Sequence, residues 1–380
     1  MVDLRKLRGS IDEIDKQIVD LYEKRMAISK EVAEFKISAG KPVFDPVREH
    51  QKIAAVKELS DIELNKKGVE ELFSHIMAIS RKLQYQLLSE NNIDTNSGFK
   101  PVEEFKFKDE KVVFQGVEGA YSHLAMKTYF GDNVDNFHVD TFRDVMEAIS
   151  KGQADFGILP IENSTVGSVN DNYDLLMEYD NYIIGEQIIK AEHVLLGTNE
   201  STLDTIKKVY SHPQGLMQCK KYLEEHRDWE QIPVLNTAVS AKKVSEENDI
   251  TQASIASRFA AEFFGIKVIE ESEICSQTNS TRFIIITNKK IFKKDAKKIS
   301  ICFEVPHISG SLFNILSHFS YNNLSMTKIE SRPLEGRNWE YRFFLDFEGN
   351  LQDSAVLNAL RGLEAEAINM KILGNYSREQ

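Results

Sequence analysis

The chain has 380 residues, a formal net charge of −12, 42% hydrophobic residues and 28% charged residues. This length allows roughly two to four domains, and the composition is that of an ordinary globular protein. The acidic balance argues against a nucleic-acid-binding protein, because such proteins usually carry a basic face. No apolar run approaches the roughly 18 residues that a membrane span needs, so no membrane partner is expected.

The start of the chain and its cysteines both favour a cytoplasmic protein. The segment from Met1 to Arg5 runs directly into a helical pattern and lacks the apolar core of a signal peptide. The three cysteines, Cys219, Cys275 and Cys302, are scattered and lack metal-ligand spacing. We expect them to be reduced core thiols. There is no P-loop, HExxH motif or Rossmann glycine fingerprint, so we predict neither a cofactor nor a catalytic metal.

Residues 1–90 contain little glycine and are predicted to be helical. At their start, apolar side chains recur at alternating steps of three and four, which predicts one long helix from about Leu4 to Ser38 that packs along a seam. The seam positions are Leu4, Leu7, Ile11, Ile14, Ile18, Leu21, Arg25, Ile28, Val32 and Phe35. Such a helix is about 50 Å long, which is more than one small helical domain can cover. We therefore expect a helical dimer. A second helix is predicted to end near Leu59 and a third to cover Val69–Ser89.

Arg25 is the one charged residue in this seam. Because an unpaired buried guanidinium costs several kcal/mol, an anion should meet it, either a carboxylate of the fold or a carboxylate of a substrate. Further polar residues interrupt the apolar stripes or follow the proline-containing turn. They are Arg8, Lys36, Asp45, Arg48, Glu49, Ser80 and Gln84. Structural salt bridges account for any one of them, whereas a pocket for a small dianion or trianion accounts for all of them together.

Residues 91–109 are polar and aperiodic, and are predicted to be an interdomain linker. From 110 to 290, short β-type runs alternate with helical patterns such as Phe142–Lys151 and Pro213–Glu225. The candidate strands are Lys111–Gln115, Phe156–Pro160, Tyr182–Glu186, His193–Leu196, Ile232–Leu235 and Arg282–Thr287. This alternation predicts an α/β fold with two lobes and a cleft.

Four polar loops lie next to these β-type runs. They are Gly116–His123 (GVEGAYSH), Pro160–Val169 (PIENSTVGSV), Ser211–Gln214 (SHPQ) and Ser276–Phe283 (SQTNSTRF). Loops at the carboxyl ends of strands bind ligands in α/β proteins, and their hydroxyls and backbone N–H groups suit an anion. Arg282 is a candidate carboxylate clamp. A glycine loop between a strand and a helix is by itself more often a structural turn. No Ser-His-Asp order is evident, so covalent catalysis is not expected.

Residues 298–376 follow the order β-α-β-β-α-β, which is typical of a ferredoxin-like domain. The predicted strands are Lys298–Val305, Leu324–Ser331, Glu340–Phe347 and Asn369–Leu373, and the predicted helices are Ser311–Asn322 and Leu351–Ala365. A small domain of this type commonly binds a ligand or a partner.

In this order, the three regions resemble the bifunctional chorismate mutase–prephenate dehydratase family over nearly the whole chain. The loops GxxGxYSH, PIENSxxGxV and SHPQ and the triplet Thr281-Arg282-Phe283 match the dehydratase motifs, and Glu330-Ser331-Arg332-Pro333 matches a phenylalanine-binding ACT domain. The family uses no cofactor. The resemblance implies an all-helical mutase domain (1–90), a linker (91–109), a two-lobed, periplasmic-binding-protein-like α/β dehydratase domain (110–290) and a ferredoxin-like α+β ACT domain (297–376).

The resemblance also implies roles for the polar residues of the helical region. Arg8 and Arg25 would bind a carboxylate of chorismate, Lys36 and Gln84 would donate to its breaking ether oxygen, and Glu49 would meet its ring hydroxyl. The full set of implied site residues is Arg8, Arg25, Lys36, Asp45, Arg48, Glu49, Ser80 and Gln84. In this family the equivalent of Arg8 comes from the partner chain, which agrees with the overlong first helix.

For the dehydratase reaction, the resemblance implies that Thr281 donates a proton or a hydrogen bond to the leaving hydroxyl of prephenate. Arg282 or the polar loops would hold the carboxylate that stays, and Phe283 would shape the site. The implied substrate-binding residues are Ser122, Glu162, Asn163, Ser164, Thr165, Ser211, Arg282 and Phe283.

The ACT resemblance implies that phenylalanine binds between two protomers as an allosteric inhibitor. The implied residues are Gly310, Ser311, Leu312, Glu330, Ser331, Arg332 and Pro333. Gly310-Ser311-Leu312-Phe313 stands where the family usually has Gly-Ala-Leu-Val. A homodimer or a higher oligomer is expected.

Three alternatives stay open on the sequence. The dehydratase substrate could be arogenate, the amino form of prephenate. The α/β region could be a two-lobed solute-binding module, with the helices serving only for dimerisation. The mutase site could have decayed, although intact Arg25, Lys36 and Gln84 argue against this because a decayed site should refill its seam with apolar residues.

Overall fold

The structure is a computed structural model that describes residues 3–90, 98–105, 107, 110–271, 274, 279–334, 336–337 and 339–378. It divides into two compact units. The first comprises 1–97 and 299–372, and the second comprises 98–298 and 373–380. Residues 276–278 of the predicted SQTNSTRF loop, and Cys275 before it, lie outside the described residues.

Three helices form the amino-terminal part of the first unit. They are α1 (Leu4–Ser38), α2 (Pro46–Lys57) and α3 (Glu63–Glu90). Asp3 caps α1 by accepting a hydrogen bond from the backbone N–H of Arg5 at 3.0 Å, and α2 begins with Pro46 at a position that needs no N–H. The predicted bounds of α1 are confirmed. Helix α3 begins at Glu63, earlier than the predicted Val69. The sequence did not indicate its first turns because they are mostly polar and show no apolar period.

The apolar seam of α1 is exposed in a single chain. Ala33 is the only residue of α1 that is buried, while Leu7 is 49% exposed and Leu21 is 65% exposed. Helix α3 packs against α1 and α2, but it does not cover this stripe. The described residues of one chain therefore leave a long apolar surface open along α1, of the kind that marks a protein–protein contact.

The remainder of the first unit lies within the predicted β-α-β-β-α-β region. Its elements, in chain order, are β14 (Lys298–Glu304), α11 (Ser311–Tyr321), β15 (Met326–Pro333), β16 (Tyr341–Glu348), α12 (Ser354–Glu366) and β17 (Ile368–Tyr376). The strand order is β15-β16-β14-β17, so the predicted element order is observed. Phe303, Phe319 and Phe347 are fully buried in this region. Helices α11 and α12 both pack against α3.

The larger sheet of the second unit has the strand order β6-β12-β4-β2-β3. Its strands are β2 (Lys111–Gln115), β3 (Asp135–Val139), β4 (Phe156–Asn163), β6 (Tyr182–Lys190) and β12 (Ser280–Thr287), with α4 (Tyr121–Phe130), α5 (Phe142–Ser150) and α6 (Asn170–Glu178) between them. Strand β12 is antiparallel to both β4 and β6. The short strand β5 (Gly167–Ser168) pairs with β4, and β1 (Lys100–Val102) pairs with β13 (Ile291–Lys293).

The second sheet of this unit has the strand order β11-β7-β10-β8-β9. Its strands are β7 (His193–Gly197), β8 (Lys208–Ser211), β9 (Glu230–Pro233), β10 (Gln252–Ser257) and β11 (Lys267–Glu270), and its helices are α7 (Pro213–Gln218), α8 (Lys220–Glu225), α9 (Thr237–Glu247) and α10 (Arg258–Phe264). Two sheets with intervening helices confirm the predicted α/β architecture. The helix predicted over Pro213–Glu225 is interrupted at Cys219, and the strand predicted at Ile232–Leu235 ends at Pro233.

Among the described helices, none has the length and apolarity that crossing a membrane requires.

Two candidate active sites

Three of the predicted mutase residues meet at the junction of α1 and α2. Lys36 is in the last turn of α1 and Glu49 in the first turn of α2. Burial lowers the pKa of Arg25, while the charges of Tyr22 and Glu49 act to raise it. Burial likewise lowers the pKa of Lys36, against the opposing charges of Asp45 and Glu49. Both cations are therefore partly desolvated and close to the Glu49 carboxylate.

Lys36 is held in place by the turn that follows α1. Its Nζ donates a hydrogen bond to the backbone carbonyl of Val43 at 2.6 Å. Val43 is buried, so this bond fixes the ammonium group at the edge of the helical interior. The remaining two donors of the ammonium group can serve a ligand.

Ser80 and Gln84 lie one turn apart on α3, and each is about 6% exposed. The Gln84 amide Nε2 donates to Ser80 Oγ at 3.3 Å. Gln84 Oε1 and Arg25 Nη1 are buried and have no hydrogen-bond partner among the described residues. A buried polar atom without a partner costs about 1–3 kcal/mol. Two such atoms on the amino-terminal helices indicate that a polar ligand supplies their missing hydrogen bonds.

The other three predicted mutase residues do not all join this group. Asp45 accepts a hydrogen bond from the backbone N–H of Arg48 at 3.0 Å and thereby caps α2, and both residues are exposed. Arg8 is exposed on α1 and lies 17 positions before Arg25, which is about 25 Å along a helix. A single chain therefore does not bring Arg8 to the site.

The predicted cleft of the second unit is present, with a volume of about 270 Å³. Its lining consists of Tyr121, Asn163, Ala191, His193, His212, Gln214, Gly215, Gln218, Leu235, Asn236, Thr237, Asn279 and Thr281. Two residues that were predicted for the site, Asn163 and Thr281, are among them. The polar character of this lining suits a small polar substrate.

Thr281 and Asn163 face each other across the β12–β4 pair. Asn163 Nδ2 donates to Thr281 Oγ1 at 2.9 Å and to Asn279 Oδ1 at 2.8 Å. Asn163 Oδ1 in turn accepts from the backbone N–H of Thr165 at 3.0 Å and from its hydroxyl at 2.6 Å. Because the Thr281 oxygen accepts from Asn163, its own proton is directed elsewhere. The arrangement presents Thr281 as a hydrogen-bond donor to the cleft.

Several cleft residues were not predicted. Tyr121 Oη lies 3.0 Å from His193 Nδ1, and burial lowers the pKa of His193. Gln218 Oε1 accepts from Asn279 Nδ2 at 3.0 Å. Asn236 caps α9 by accepting from the backbone N–H of Val239 at 2.8 Å. Asn236 could have been found from the sequence, because an asparagine before a helical pattern is a recognisable cap. His193 could not, because nothing in the apolar strand β7 indicates a role for its histidine.

The structure corrects the prediction for Ser211. This residue is fully buried, its hydroxyl donates to the backbone carbonyl of Ile255 at 2.7 Å, and it does not line the cleft. Gly215 lies so close that an added Cβ would meet Ser211 Oγ at 2.6 Å. Ser211 therefore joins β8 to β10 and packs against α7. Phe283, which is 2% exposed, belongs to the core beneath the larger sheet.

Arg282 binds protein carboxylates in this structure. Its Nη1 lies 3.2 Å from Glu186 Oε2 and its Nε lies 3.4 Å from Glu162 Oε2. Lys298 forms a second ion pair with Glu186. Neighbouring side chains on a strand point to opposite faces, so the orientation of Thr281 toward the cleft turns Arg282 away from it. The predicted clamp role thus has no support in this geometry.

The other predicted loop residues lie around the cleft without lining it. Ser164 Oγ accepts from the backbone N–H of Ser280 at 2.9 Å and joins the PIENS loop to β12. Thr165 orients Asn163, as described above. Ser122 is buried in the first turn of α4. These residues support the site rather than forming its surface.

His123 fixes the glycine loop that precedes α4. Its Nδ1 accepts from the backbone N–H of Gly119 at 3.0 Å, and its ring stacks on Phe114 with a centroid distance of 4.9 Å. Gly119 has φ +82°, a conformation that favours glycine. Burial, with a smaller contribution from Lys127, lowers the pKa of His123 to about 4. A neutral imidazole is needed because a protonated Nδ1 cannot accept this bond.

A second cavity, also of about 270 Å³, lies in the first unit at the start of α11. Gly310, Ser311 and Leu312 line it, together with Phe313 and residues of β16. The predicted segment Glu330–Pro333 lies on β15 and is not part of this lining. One chain therefore brings together only the first half of the predicted phenylalanine site.

We expect His123 to titrate near pH 4 in the folded chain. Between pH 6.5 and 4 the unfolded chain binds a proton that the folded chain does not, so the free energy of unfolding should fall as the pH drops through this window. An NMR titration of the imidazole signals, assigned with a His123→Asn variant, measures the value. A His123 signal that titrates near 6.5 would contradict the buried acceptor role.

Comparison with known families identifies two separate regions of the chain. The family model for chorismate mutase type II matches residues 7–85, and the model for prephenate dehydratase matches residues 112–291. The first interval contains Arg8, Arg25, Lys36 and Gln84, and the second contains Asn163 and Thr281. The two clusters of polar residues thus lie in two separately recognised regions.

Curated relatives match over nearly the whole chain. The bifunctional chorismate mutase/prephenate dehydratase of Escherichia coli K12 is 31% identical over 384 residues, covering 99% of this chain and 96% of that protein. The protein of the same name from Stutzerimonas stutzeri is 32% identical over 381 residues, covering 99% and 98%.

Among solved structures, a prephenate dehydratase from Arthrobacter aurescens in complex with L-Phe matches with a TM-score of 0.64 and 28% identity, covering 70% of this chain and 90% of that chain. The prephenate dehydratase of Staphylococcus aureus matches with a TM-score of 0.61 and 26% identity, covering 70% and 100%. The chain therefore belongs to the family of bifunctional chorismate mutase/prephenate dehydratases, enzymes of phenylalanine biosynthesis.

Proposed function

We propose that the two sites divide the two reactions between the two compact units. The site at Arg25, Lys36 and Gln84 rearranges chorismate to prephenate, and the cleft at Thr281 converts prephenate to phenylpyruvate. The observation that carries this proposal is the pair of buried polar atoms without a partner among the described residues, Arg25 Nη1 and Gln84 Oε1, on the amino-terminal helices, far in sequence from Thr281. In this proposal 1–90 is the mutase domain, 110–290 the dehydratase domain and 297–376 the ACT domain.

The mutase reaction needs orientation and charge stabilisation only. Chorismate carries two carboxylates, and its rearrangement is unimolecular, so the protein must hold a compact conformer and stabilise negative charge on the breaking ether oxygen. Arg25 offers the buried Nη1 to a carboxylate, and Lys36 offers the donors that Val43 leaves unused. A half-turn of the Gln84 amide lets Ser80 donate to Oε1 and turns Nε2 toward the ether oxygen. Glu49 accepts from the ring hydroxyl.

The dehydratase reaction removes carbon dioxide and the ring hydroxyl of prephenate together. The leaving hydroxyl needs a hydrogen-bond or proton donor, and Thr281 has its proton available because Asn163 occupies its acceptor side. The cleft also takes the departing carboxylate out of bulk water, which favours its loss as neutral carbon dioxide. Prephenate is the proposed substrate, and arogenate, which has an amino group in place of the keto group, is the competing one.

The open seam of α1 supports a homodimer as part of the proposal. A second copy that packs along this seam buries the apolar residues of α1 in both chains. The same packing supplies Arg8 of one chain to the site built by Arg25 and Lys36 of the other. This arrangement gives a reason for the exposure of Arg8 and for the distance that separates it from Arg25 in one chain.

Feedback by phenylalanine is the regulatory part of the proposal. The cavity at Gly310 and Leu312 has the apolar character that a phenyl ring requires, and a related dehydratase was solved with L-Phe. Strand β15, which carries Glu330–Pro333, lies at the edge of its sheet. A partner chain could therefore approach it and complete the ligand site between two ACT domains.

A cytoplasmic location belongs to the same proposal. Cys219 and Cys302 are buried thiols that form no disulfide. Reduced, buried thiols are typical of proteins in a reducing compartment.

We expect the two activities to be lost separately. Lys36→Ala should lower chorismate turnover by about 100-fold or more because a donor to the ether oxygen is lost, while prephenate turnover persists. Thr281→Val, which keeps the side-chain shape, should lower prephenate turnover by about 100-fold and spare the mutase. Steady-state assays with each substrate, prephenate and arogenate included, measure both effects. Lys30→Ala and Thr128→Val, which make the same replacements at exposed positions, are the controls and should leave both activities unchanged. Loss of both activities in either variant, with folding intact, would refute the two-site proposal.

Mixing two inactive mutases should restore activity if Arg8 acts on the partner's site. Arg8→Ala and Lys36→Ala chains are each expected to be inactive, whereas a heterodimer holds one site with both residues intact. Random exchange of subunits should return about a quarter of wild-type mutase activity. The mixture is assayed without separation after co-expression of the two chains. A mixture as inactive as its components would show that Arg8 does not act across the dimer.

Phenylalanine should slow the dehydratase and raise its thermal unfolding temperature, because a ligand that binds the folded chain stabilises it. Leu312→Asp places a charge in the apolar lining and should abolish both effects without changing the uninhibited rate. The rate and the unfolding temperature are measured with L-phenylalanine and with D-phenylalanine as the control ligand. If L-phenylalanine changes neither quantity in the wild-type chain, the regulatory part of the proposal fails.

A further inference from the structure

Helix α3 carries a buried arginine that the family resemblance does not assign. Arg81 immediately follows Ser80 and lies about 100° around the helix from it. Its side chain is 8% exposed, and its guanidinium stacks over the Phe44 ring at 4.9 Å. A buried guanidinium requires carboxylates and close geometry to offset its desolvation. Two carboxylates, from distant parts of the sequence, meet it.

One of these carboxylates belongs to α12 and binds Arg81 in a two-point fashion. Arg81 Nε donates to Glu366 Oε1 at 2.8 Å, and Nη2 donates to Glu366 Oε2 at 3.3 Å. The Glu366 side chain is 7% exposed. The fork of an arginine fits a carboxylate in this way, and the pairing fixes the orientation of both groups.

Glu366 is itself held by the helix before it. His318 Nε2, on α11, lies 3.2 Å from Glu366 Oε1, and the His318 ring packs so tightly on Gly362 that an added Cβ there would lie 2.3 Å from it. Burial acts to raise the pKa of Glu366, but His318 and Arg81 outweigh it and hold the pKa below its ordinary value. Glu366 is therefore an ionised, buried anchor for Arg81.

The second carboxylate is Glu49, the acidic member of the mutase site. Arg81 Nη1 donates to Glu49 Oε2. Glu49 Oε1 accepts no hydrogen bond within the part of the chain that the structure describes. Arg81 therefore holds one oxygen of Glu49 and leaves the other to a ligand, so the direction in which Glu49 points depends on where Arg81 is anchored.

We propose that Arg81 is a positioning residue of the mutase site, and that Glu366 of the carboxyl-terminal region completes this site by anchoring Arg81. The inference rests on the proposed role of Glu49 as acceptor for the ring hydroxyl of chorismate. It makes the helical mutase of this chain dependent on a side chain more than 300 positions away from Glu49. A purely structural ion pair explains the burial of Arg81 but predicts no effect on substrate affinity.

The test is Glu366→Gln in the full chain, with the mutase kinetics as readout. The glutamine keeps the volume but presents only one acceptor oxygen, so Arg81 loses its two-point anchor. Because Glu49 contacts a hydroxyl that is present in substrate and transition state alike, KM for chorismate should rise about tenfold with kcat little changed. The dehydratase rate and the thermal unfolding temperature report whether the chain is folded.

Lys82→Met is the matched control. Lys82 Nζ donates to Ser317 Oγ at 2.7 Å, so its replacement disturbs the neighbouring contact of α3 with α11 and leaves both Glu49 and Glu366 untouched. KM should stay at the wild-type value. Arg81→Lys is the second test variant, because a lysine keeps the charge but cannot bridge both carboxylates, and it should raise KM at least as much as Glu366→Gln does. It also serves as the readout if Glu366→Gln does not fold.

A double-mutant cycle separates this inference from the proposed function. Glu49→Gln should raise KM, and Glu366→Gln should add no further increase in the Glu49→Gln background. A wild-type KM in Glu49→Gln would overturn the proposed role of Glu49. A normal KM in Glu366→Gln, an equal rise in Lys82→Met, or additive effects in the double variant would overturn the positioning role of Arg81 while leaving the proposed function intact.

Discussion

The desolvation of polar side chains on α3 is the constraint on which the first unit depends. Ser80, Arg81, Lys82 and Gln84 are each about 6% exposed, although they follow one another on a single helix. Each buried polar group needs a hydrogen-bond partner, because burying one without a partner destabilises the fold by more than a typical hydrogen bond stabilises it. Arg81 and Lys82 find partners in Glu366 and Ser317. The Oε1 atom of Gln84 has no partner among the described residues and is left for a ligand.

A different constraint governs the cleft of the second unit, namely the alternation of side chains along β12. Thr281 faces the cleft and pairs with Asn163, so its neighbour Arg282 faces the other way and binds Glu186 and Glu162. The strand cannot present both residues to one ligand without a distortion between them. Polar character in consecutive positions therefore does not mean a shared role. One residue serves the site, and the next holds the sheet together.

The sequence was a good guide where periodicity is strong and a poor one where it is weak. The repeat in α1 predicted its bounds because a long amphipathic helix repeats one signal many times. Strand β10 was missed because Gln252–Ser257 is built from small and polar residues that carry no strand pattern. The candidate mutase residues could be picked out individually because a cation in an apolar stripe is conspicuous. Arg81 could not, because its neighbours Ser80 and Lys82 are polar as well and nothing local tells a buried arginine from a solvated one.

By itself, the order of residues determined the helical, α/β and β-α-β-β-α-β regions, the family, and the two sets of candidate site residues. These depend on local patterns and on motifs that are contiguous in the chain. Only the tertiary structure decided which polar atoms lack a partner, that Ser211 and Arg282 bind the protein itself, and that Glu366 meets Arg81 beside Glu49. Those facts are pairings between residues far apart in the chain, and a pairing depends on distance and burial, which a one-dimensional pattern does not contain.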